Sequence, residues 1–158
     1  MSFMFHPYPY VDKSAVNPVN PPKEDTVVFG ALPVAKRIAQ AIREGKKRVG
    51  IDGYAGAEFE VIRQLLSAQL APLNARIVPV QELLKPAQTL RDMLAPSLPT
   101  DRDIDPVLLY GVRIERHYED FFVADRLAAL SGDAEAPLVV IGQGALCDAL
   151  RPLCDLRI

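Results

Sequence analysis

Apolar residues along the first half of the chain follow two patterns, helical spacing and short unbroken runs. Val34, Ile38 and Ile42 fall on one helical face, and Gly45 follows as a left-handed cap, so the spacing predicts a helix starting at residue 34. The apolar positions of Phe59–Leu70 predict a second helix. The unbroken apolar runs predict buried strands at residues 49–52 and 75–80.

The second half of the chain contains the clearest strand, Leu138–Ile141, in which every residue is aliphatic. Residues 118–130 are spaced as one helix, and residues 95–106 form a Pro- and Asp-rich loop. Shorter helices are predicted at residues 81–84, 89–94 and 146–150, and a last strand at residues 155–158.

This alternation of strands and helices predicts an α/β fold, a mostly parallel sheet flanked by helices. A ligand crevice is expected at the carboxyl ends of the strands. Because the last predicted strand begins at the final residues, we expect the domain to be incomplete at its C-terminus.

The N-terminal segment differs from the rest in composition. Residues 1–33 hold six of the 14 prolines and show no periodicity, which predicts an extended arm before an α/β domain at residues 34–158. The arm also carries an aromatic cluster large enough to favour burial, so we expect part of it to lie across a surface. The cluster consists of Phe3, Phe5, Tyr8 and Tyr10.

Charge and cysteine content narrow the function classes. A net charge of −2 gives no overall attraction to nucleic acids or acidic membranes. Two cysteines and two histidines are too few for a recognisable metal site. We find neither a secretory signal nor an apolar run of membrane-spanning length, so the sequence predicts a cytoplasmic protein with free thiols.

The loop at residues 53–60 has the frame of a phosphate-binding P-loop, because it joins a predicted strand to a predicted helix. A P-loop reads G-x-x-x-x-G-K-[ST], in which backbone N–H groups hold phosphates, Lys neutralises them and the hydroxyl ligates magnesium. Gly53 fits the first glycine, but Glu58, Phe59 and Glu60 occupy the last three positions.

Residues 49–56 resemble the first strand and loop of the uridine-kinase-like branch of P-loop kinases. Residues 138–145 and 150–158 resemble a later strand of that branch, its turn and its Leu-x-x-x-x-Asp-Leu-x-Ile run. The resemblance implies a P-loop-kinase-like, three-layer architecture.

A narrower resemblance is carried by residues 6–10, residues 51–56 and Asp105-Pro106 ahead of residues 118–122. These segments are similar to the kinase-like N-terminal region of some class I mannose-6-phosphate-isomerase-type bacterial proteins. That resemblance implies a longer parent chain that continues into a metal-binding cupin barrel.

The departures from the kinase pattern predict that phosphoryl transfer has been lost. Phe59 replaces the lysine, Glu60 replaces the magnesium-binding hydroxyl, and Glu58 adds negative charge where phosphate would lie. The turn at residues 142–144 lacks the acidic residue that uridine-kinase-like proteins carry there. Losing several charge-stabilising groups makes a degenerate, non-catalytic domain the leading hypothesis.

Each candidate site residue has a structural alternative. The loop glycines could form an anion-binding nest, but we favour a tight turn whose donors are capped by Glu58 or Glu60. Asp52 is expected to fix the loop rather than act on a ligand, whereas Gln143 could equally bind a ligand or only allow close packing. The candidate ligand-binding residues are Gly53, Tyr54, Ala55, Gly56, Ala57 and Gln143, with no catalytic or metal-binding residue assigned.

The leading hypothesis is thus a structural, interaction or phosphate- and nucleotide-sensing module. Its ligand would be a phosphorylated small molecule, and its protein partner a second copy or the cupin domain of the parent chain. One alternative is a divergent nucleoside or sugar kinase that uses ATP and magnesium with a cation from Lys46, Lys47, Arg113 or Arg116. Another is an oligomerisation module in which the aromatic arm docks on a neighbouring subunit.

Overall fold

A computed structural model describes residues 28–98, 114–132 and 135–158, which are built around a four-stranded parallel sheet. The strands run in the order β2-β3-β1-β4, and each neighbouring pair is parallel. The predicted α/β fold with a parallel sheet flanked by helices is confirmed. The strands are β1 (Arg48–Ile51), β2 (Arg76–Pro79), β3 (Leu138–Ile141) and β4 (Leu156–Arg157).

Four α-helices accompany the sheet in the described part of the chain, and short 3₁₀ turns connect several elements. The second helix matches its predicted bounds, because an uninterrupted helical spacing of apolar residues defines both of its ends. The helices are α1 (Ala31–Arg43), α2 (Phe59–Leu70), α3 (Ala87–Leu94) and α4 (Ala124–Ala128).

The helices α1 and α2 cover one face of the sheet. Ile38 and Ile42 of α1 and Leu66 and Leu70 of α2 are buried there, because their spacing places them on the inward side of each helix. The strand residues that complete this core are Val49, Ile51, Val139 and Ile141.

The opposite face is covered by short segments rather than by long helices within the described ranges. Leu83, Phe122, Leu130 and Leu150 pack there against alternate strand residues such as Val140. Every residue of β3 is buried because both faces and both edges of this strand are covered.

Gly50 lets the connection from β3 to β4 lie directly against β1. A Cβ atom at this position would lie 2.5 Å from Cδ2 of Leu146 and 2.8 Å from Sγ of Cys154. Both contacting atoms belong to the connection, so the absence of a side chain at Gly50 leaves the space in which the connection packs against the sheet.

The first helix starts earlier than predicted, at Ala31 rather than Val34. Pro33 does not prevent this earlier start, because proline is tolerated in the first helical turn, where its missing N–H would have no intrahelical acceptor. The helix ends at Arg43 and Gly45 has φ of +106°, as its capping role requires. Residues 1–27 of the predicted arm lie outside the described residues.

The single helix predicted at residues 118–130 is wrong. A 3₁₀ turn, Tyr118–Phe121, is separated from α4 by an extended stretch at Phe122 and Val123. Phe122 forms an antiparallel bridge with Leu84, and the Val123 N–H donates to the Leu83 carbonyl, so pairing with a distant segment outweighs local helical spacing.

Two smaller predictions also changed. Residues 146–150 form successive turns instead of a helix, since the Cys147 N–H donates to Gly144 and the Leu150 N–H to Cys147. The predicted helix at residues 81–84 is a 3₁₀ turn, Val80–Glu82. Most of the loop predicted at residues 95–106 lies outside the described residues.

Asp155 ties the start of β4 to the start of β1. Its Oδ2 accepts the backbone N–H groups of Lys47 at 2.8 Å and Arg48 at 2.9 Å. These hydrogen bonds hold the pKa of the Asp155 carboxyl below its usual value. The charged form of this side chain therefore stabilises the edge of the sheet.

We expect Asp155→Asn to lower the free energy of unfolding by about 1 kcal/mol at pH 7, because the single oxygen that accepts both backbone N–H groups loses its charge. The folded-state pKa lies below the unfolded value, so this stabilisation is present above about pH 4 and disappears as the pH falls further. Urea unfolding at pH 7 and at pH 3 measures it. Asp148→Asn is the control, since the exposed Asp148 side chain has no hydrogen bond among the described residues; an equal loss in both variants would contradict the role of Asp155.

Candidate functional site

The carboxyl ends of β1 and β3 lie side by side at the end of the sheet where the fold predicts a ligand crevice. The chain leaving β1 enters α2 on one face of the sheet, whereas the chain leaving β3 contributes Ala145 and Leu150 to the core on the other face. Neighbouring strands whose connections leave in opposite directions open a gap between their loops. The two predicted loops lie on either side of this gap.

The carboxylate of Asp52 bridges the two loops. Its Oδ1 accepts the backbone N–H groups of Gly53 at 2.7 Å and Gly144 at 3.0 Å, and its Oδ2 accepts that of Leu146 at 2.8 Å. The side chain is half-buried. Three amide donors that could face an external anion therefore already hold an internal one.

The Gly53 loop is closed by its own backbone. The Ala57 N–H donates to the Tyr54 carbonyl at 3.1 Å, and the Phe59 N–H donates to the Ala57 carbonyl at 2.9 Å. Gly56 has φ of +101°, a conformation that suits glycine. These bonds turn the chain tightly from β1 into α2.

The Phe59 ring packs against the start of this loop. A Cβ atom on Gly53 would lie 3.1 Å from Cζ of Phe59, so the glycine allows the ring to approach the backbone. Phe59 occupies the position of the P-loop lysine in the sequence pattern. An apolar ring thus lies beside the start of the loop.

Glu58 and Glu60 do not cap the helix as predicted. Glu58 precedes α2 without a side-chain cap, and the Glu60 carboxylate accepts bonds from Arg63 at 2.7 Å and Gln64 at 2.9 Å. Those bonds lower the pKa of the Glu60 carboxyl to about 2. Glu60 thus pairs with residues one turn later on its own helix. The Gly53 N–H donates to Asp52 instead.

The turn after β3 is shaped by two glycines and by Tyr118. Gly142 has φ of +134° and Gly144 has φ of +86°. The Tyr118 hydroxyl donates to the Gln143 carbonyl at 2.9 Å, and its ring lies so close to Gly144 that an added Cβ would be 2.2 Å from Cε1. Tyr118 therefore holds the turn in place together with Asp52.

Cys147 and Tyr118 lie near Asp52 but are poor nucleophiles at neutral pH. Partial burial raises the pKa of the Cys147 thiol, and the carboxylates of Glu119 and Asp52 raise it further. Burial likewise raises the pKa of the Tyr118 hydroxyl, with a smaller contribution from Asp52. Both groups stay protonated, so Tyr118 acts as a hydrogen-bond donor.

The structure brings only some of the predicted site residues together. Gly53 and Gln143 reach the same crevice, with Gln143 contributing its carbonyl to Tyr118 while its side chain is exposed. Tyr54, Ala55 and Gly56 lie exposed at the rim, and their N–H groups have no acceptor among the described residues. Ala57 is half-buried and supports the turn.

The basic residues considered for a kinase are not gathered at the crevice. Lys46 and Lys47 precede β1, at the opposite end of a strand, about 16 Å from Asp52 at 3.3 Å per residue. The Lys47 ammonium donates to the Glu135 carbonyl there. Arg116 is exposed just before Tyr118, and Arg113 lies outside the described residues.

The described ranges contain no group of three or more His, Cys, Asp or Glu side chains arranged to hold a metal ion. None of the helices in these ranges combines the length and apolar character needed to cross a bilayer.

A family model for a domain of unknown function, DUF8485, matches residues 34–155. The chain belongs to this family. No curated protein and no solved structure matches it. The DUF8485 match spans β1, β3 and both loops of the crevice, so the contacts of Asp52 and Tyr118 lie within the family domain.

We expect Gly144→Ala to lower the free energy of unfolding of this DUF8485 domain by about 2 kcal/mol, because the new methyl group would overlap the Tyr118 ring at positive φ. Urea denaturation measures the loss. If the ring is the obstacle, Gly144→Ala should lower the free energy of unfolding less in a Tyr118→Ala background than it does in the wild type.

Gly132→Ala serves as the matched control, since an added Cβ there would meet its nearest atom at 3.9 Å and φ is not positive. We expect this change to stay within about 0.5 kcal/mol. Strictly additive effects of Gly144→Ala and Tyr118→Ala would show that the ring contact does not determine the turn.

Proposed function

We propose that this DUF8485 domain is a degenerate, uridine-kinase-like domain that works without catalysis, as a structural or interaction module of a larger sugar-phosphate-isomerase-type protein in the cytoplasm. The observation that carries the proposal is the occupation of the crevice by Asp52. A carboxylate that accepts three backbone N–H groups leaves these donors unable to hold a phosphate.

The position of the two loops supports the kinase-like ancestry. The P-loop-like segment follows β1, and the second segment that resembles uridine kinases follows β3, the strand directly paired with β1. In a phosphate-binding α/β domain these neighbouring ends face the ligand. The chain keeps this arrangement of strands and turns while its charged groups differ.

The chemistry at the loop argues against phosphoryl transfer. Phosphoryl transfer needs cations on the phosphate oxygens and an acidic group that holds magnesium. Phe59 brings an apolar ring to the lysine position, and Glu60 is engaged by Arg63 on the helix surface. Removing one charge-stabilising donor costs a factor of about 10²–10³ in rate, so several such losses abolish useful turnover.

Ligand sensing is the form of the proposal that the rim residues support. The N–H groups of Tyr54, Ala55 and Gly56 have no acceptor among the described residues. Such backbone donors favour an anion, so the expected ligand class is a phosphorylated small molecule. Glu58 and Glu60 oppose such a ligand electrostatically. The structural or interaction role therefore has the stronger physical support, and the cupin domain of the parent chain is the expected partner.

We expect no transfer of labelled phosphate from ATP–magnesium to uridine or mannose by the purified chain. The missing cation and magnesium ligand are the physical reason. A radiometric assay against a buffer blank measures it, and an unrelated active nucleoside kinase verifies the conditions. Transfer above the blank that disappears in Asp52→Asn would overturn the non-catalytic assignment.

We expect Asp52→Ala to release the three amide donors and so to create an anion site. Inorganic phosphate should then raise the melting temperature of Asp52→Ala more than that of the wild type or of the exposed control Asp148→Ala. Thermal unfolding at increasing phosphate and constant ionic strength measures the difference.

The wild-type titration keeps the proposal testable even if Asp52→Ala folds poorly. Saturable binding of phosphate, UMP or mannose 6-phosphate to the wild type, measured by calorimetry, would favour the sensing role over a structural or interaction role. Absence of binding would leave the structural or interaction role.

A further inference from the structure

An apolar groove runs between α1 and the edge strand β4, where the Ile158 carbonyl accepts the Asp52 N–H at 2.9 Å. Its volume is about 250 Å³. The apolar residues that line it are Val28, Val34, Ile38, Ala41, Leu156 and Ile158. Val28 and Ile158 remain 39% and 45% exposed, and the neighbouring Phe29 is 82% exposed, so a considerable apolar surface faces outward here.

The size of the groove suits side chains rather than a separate small molecule. Small-molecule sites usually enclose about 300–1,000 Å³ and bring several polar groups together. This groove is smaller, and Arg37 is its one charged lining residue. It can take one or two large side chains of a peptide segment.

The chain itself supplies such a segment at the right place. Twenty-seven residues precede Val28, and Val28 is part of the groove. The aromatic cluster of Phe3, Phe5, Tyr8 and Tyr10 begins 25 residues before Val28 and ends 18 residues before it. For a random coil of 18 residues the root-mean-square end-to-end distance is about 23 Å, which is enough to bring the cluster back to the groove that contains Val28.

Arg37 favours an aromatic occupant over an aliphatic one. It lines the groove from the exposed side of α1 and forms no ion pair among the described residues. A guanidinium group stacks on the face of a phenyl or phenol ring. A ring in the groove would thus contact apolar residues below and a cation at the rim.

We propose that the aromatic cluster of the N-terminal arm docks in the α1–β4 groove of its own chain. Attachment at Val28 gives the arm a local concentration in the millimolar range, which a second copy reaches only in very concentrated solution. Docking covers the apolar surface beside the open edge of the sheet. The role differs from that of the crevice and holds whatever the crevice binds.

Methyl NMR of the full 17.4 kDa chain tests this docking. We expect nuclear Overhauser contacts between aromatic protons of the arm and methyl groups of Ile38 and Ile158, with ring-current shifts of those methyl signals. Replacing Phe3, Phe5, Tyr8 and Tyr10 together by Ser should remove both effects. Replacing Val16 and Val19 by Ser, which leaves the aromatic cluster unchanged, should keep them.

A second pair of variants changes the groove and leaves the arm intact. Ala41→Arg places a long side chain in the groove and should abolish the contacts, whereas Gln40→Arg, on the exposed side of the same helix, should preserve them. Both positions are helical and accept arginine well. Chemical shifts elsewhere in the sheet report whether each variant stays folded.

Three results would overturn the proposal. The first is the absence of arm-to-methyl contacts in the wild type. The second is contacts that survive in the four-serine variant or in a folded Ala41→Arg variant. The third is a dimer in sedimentation that the four-serine change converts to a monomer, because the occupant would then be the arm of another copy.

Discussion

The hydrogen bonds of one carboxylate, that of Asp52, determine the geometry of the end of the sheet where function is expected. The backbone of the β1 loop and that of the β3 turn both converge on this side chain. Hydrogen bonds to a charged group each contribute about 1.5–3 kcal/mol, so the group has a large share in holding the two loops together. The same bonds occupy donors on which anion binding would depend, so the contacts that stabilise the two loops also oppose anion binding between them.

A second carboxylate performs the matching task at the other end of β1. Asp155 ties β4 to the residues that start β1, while Asp52 ties the residues that follow β1 to β3. The strands are short, four residues in β1 and two in β4, so the ladder alone supplies few bonds. Side-chain acceptors at both ends compensate for the short ladder and align the central strand with its neighbours.

Elements with a complete local pattern could be predicted from the sequence. The bounds of α2 and β3 follow from uninterrupted helical spacing and from four consecutive aliphatic residues. The segment at residues 118–130 could not be predicted, because Phe122 pairs with Leu84, and no local pattern reports a partner 38 residues away. The turns at residues 146–150 depend similarly on the carboxylate of Asp52 and on the space left by Gly50.

The candidate site, too, could be predicted from the sequence only in part. The position of Gly53 and Gln143 at neighbouring strand ends follows from the order of strands and loops. Tyr118 and Leu146 could not be assigned to the site, since their partners are backbone atoms whose orientation only the fold sets. The choice of Glu58 or Glu60 as cap failed for a related reason, because Arg63 on the same helix competes for Glu60.

Gly50 shows how the space needed by one segment can govern a residue in another. A strand interior favours β-branched side chains, yet any side chain at this position would meet Leu146 and Cys154 of the returning connection. The connection can lie directly against the central strand only because position 50 has no side chain. A larger residue there would require the connection to move away from the sheet, so the residue type at position 50 depends on a segment nearly one hundred residues later.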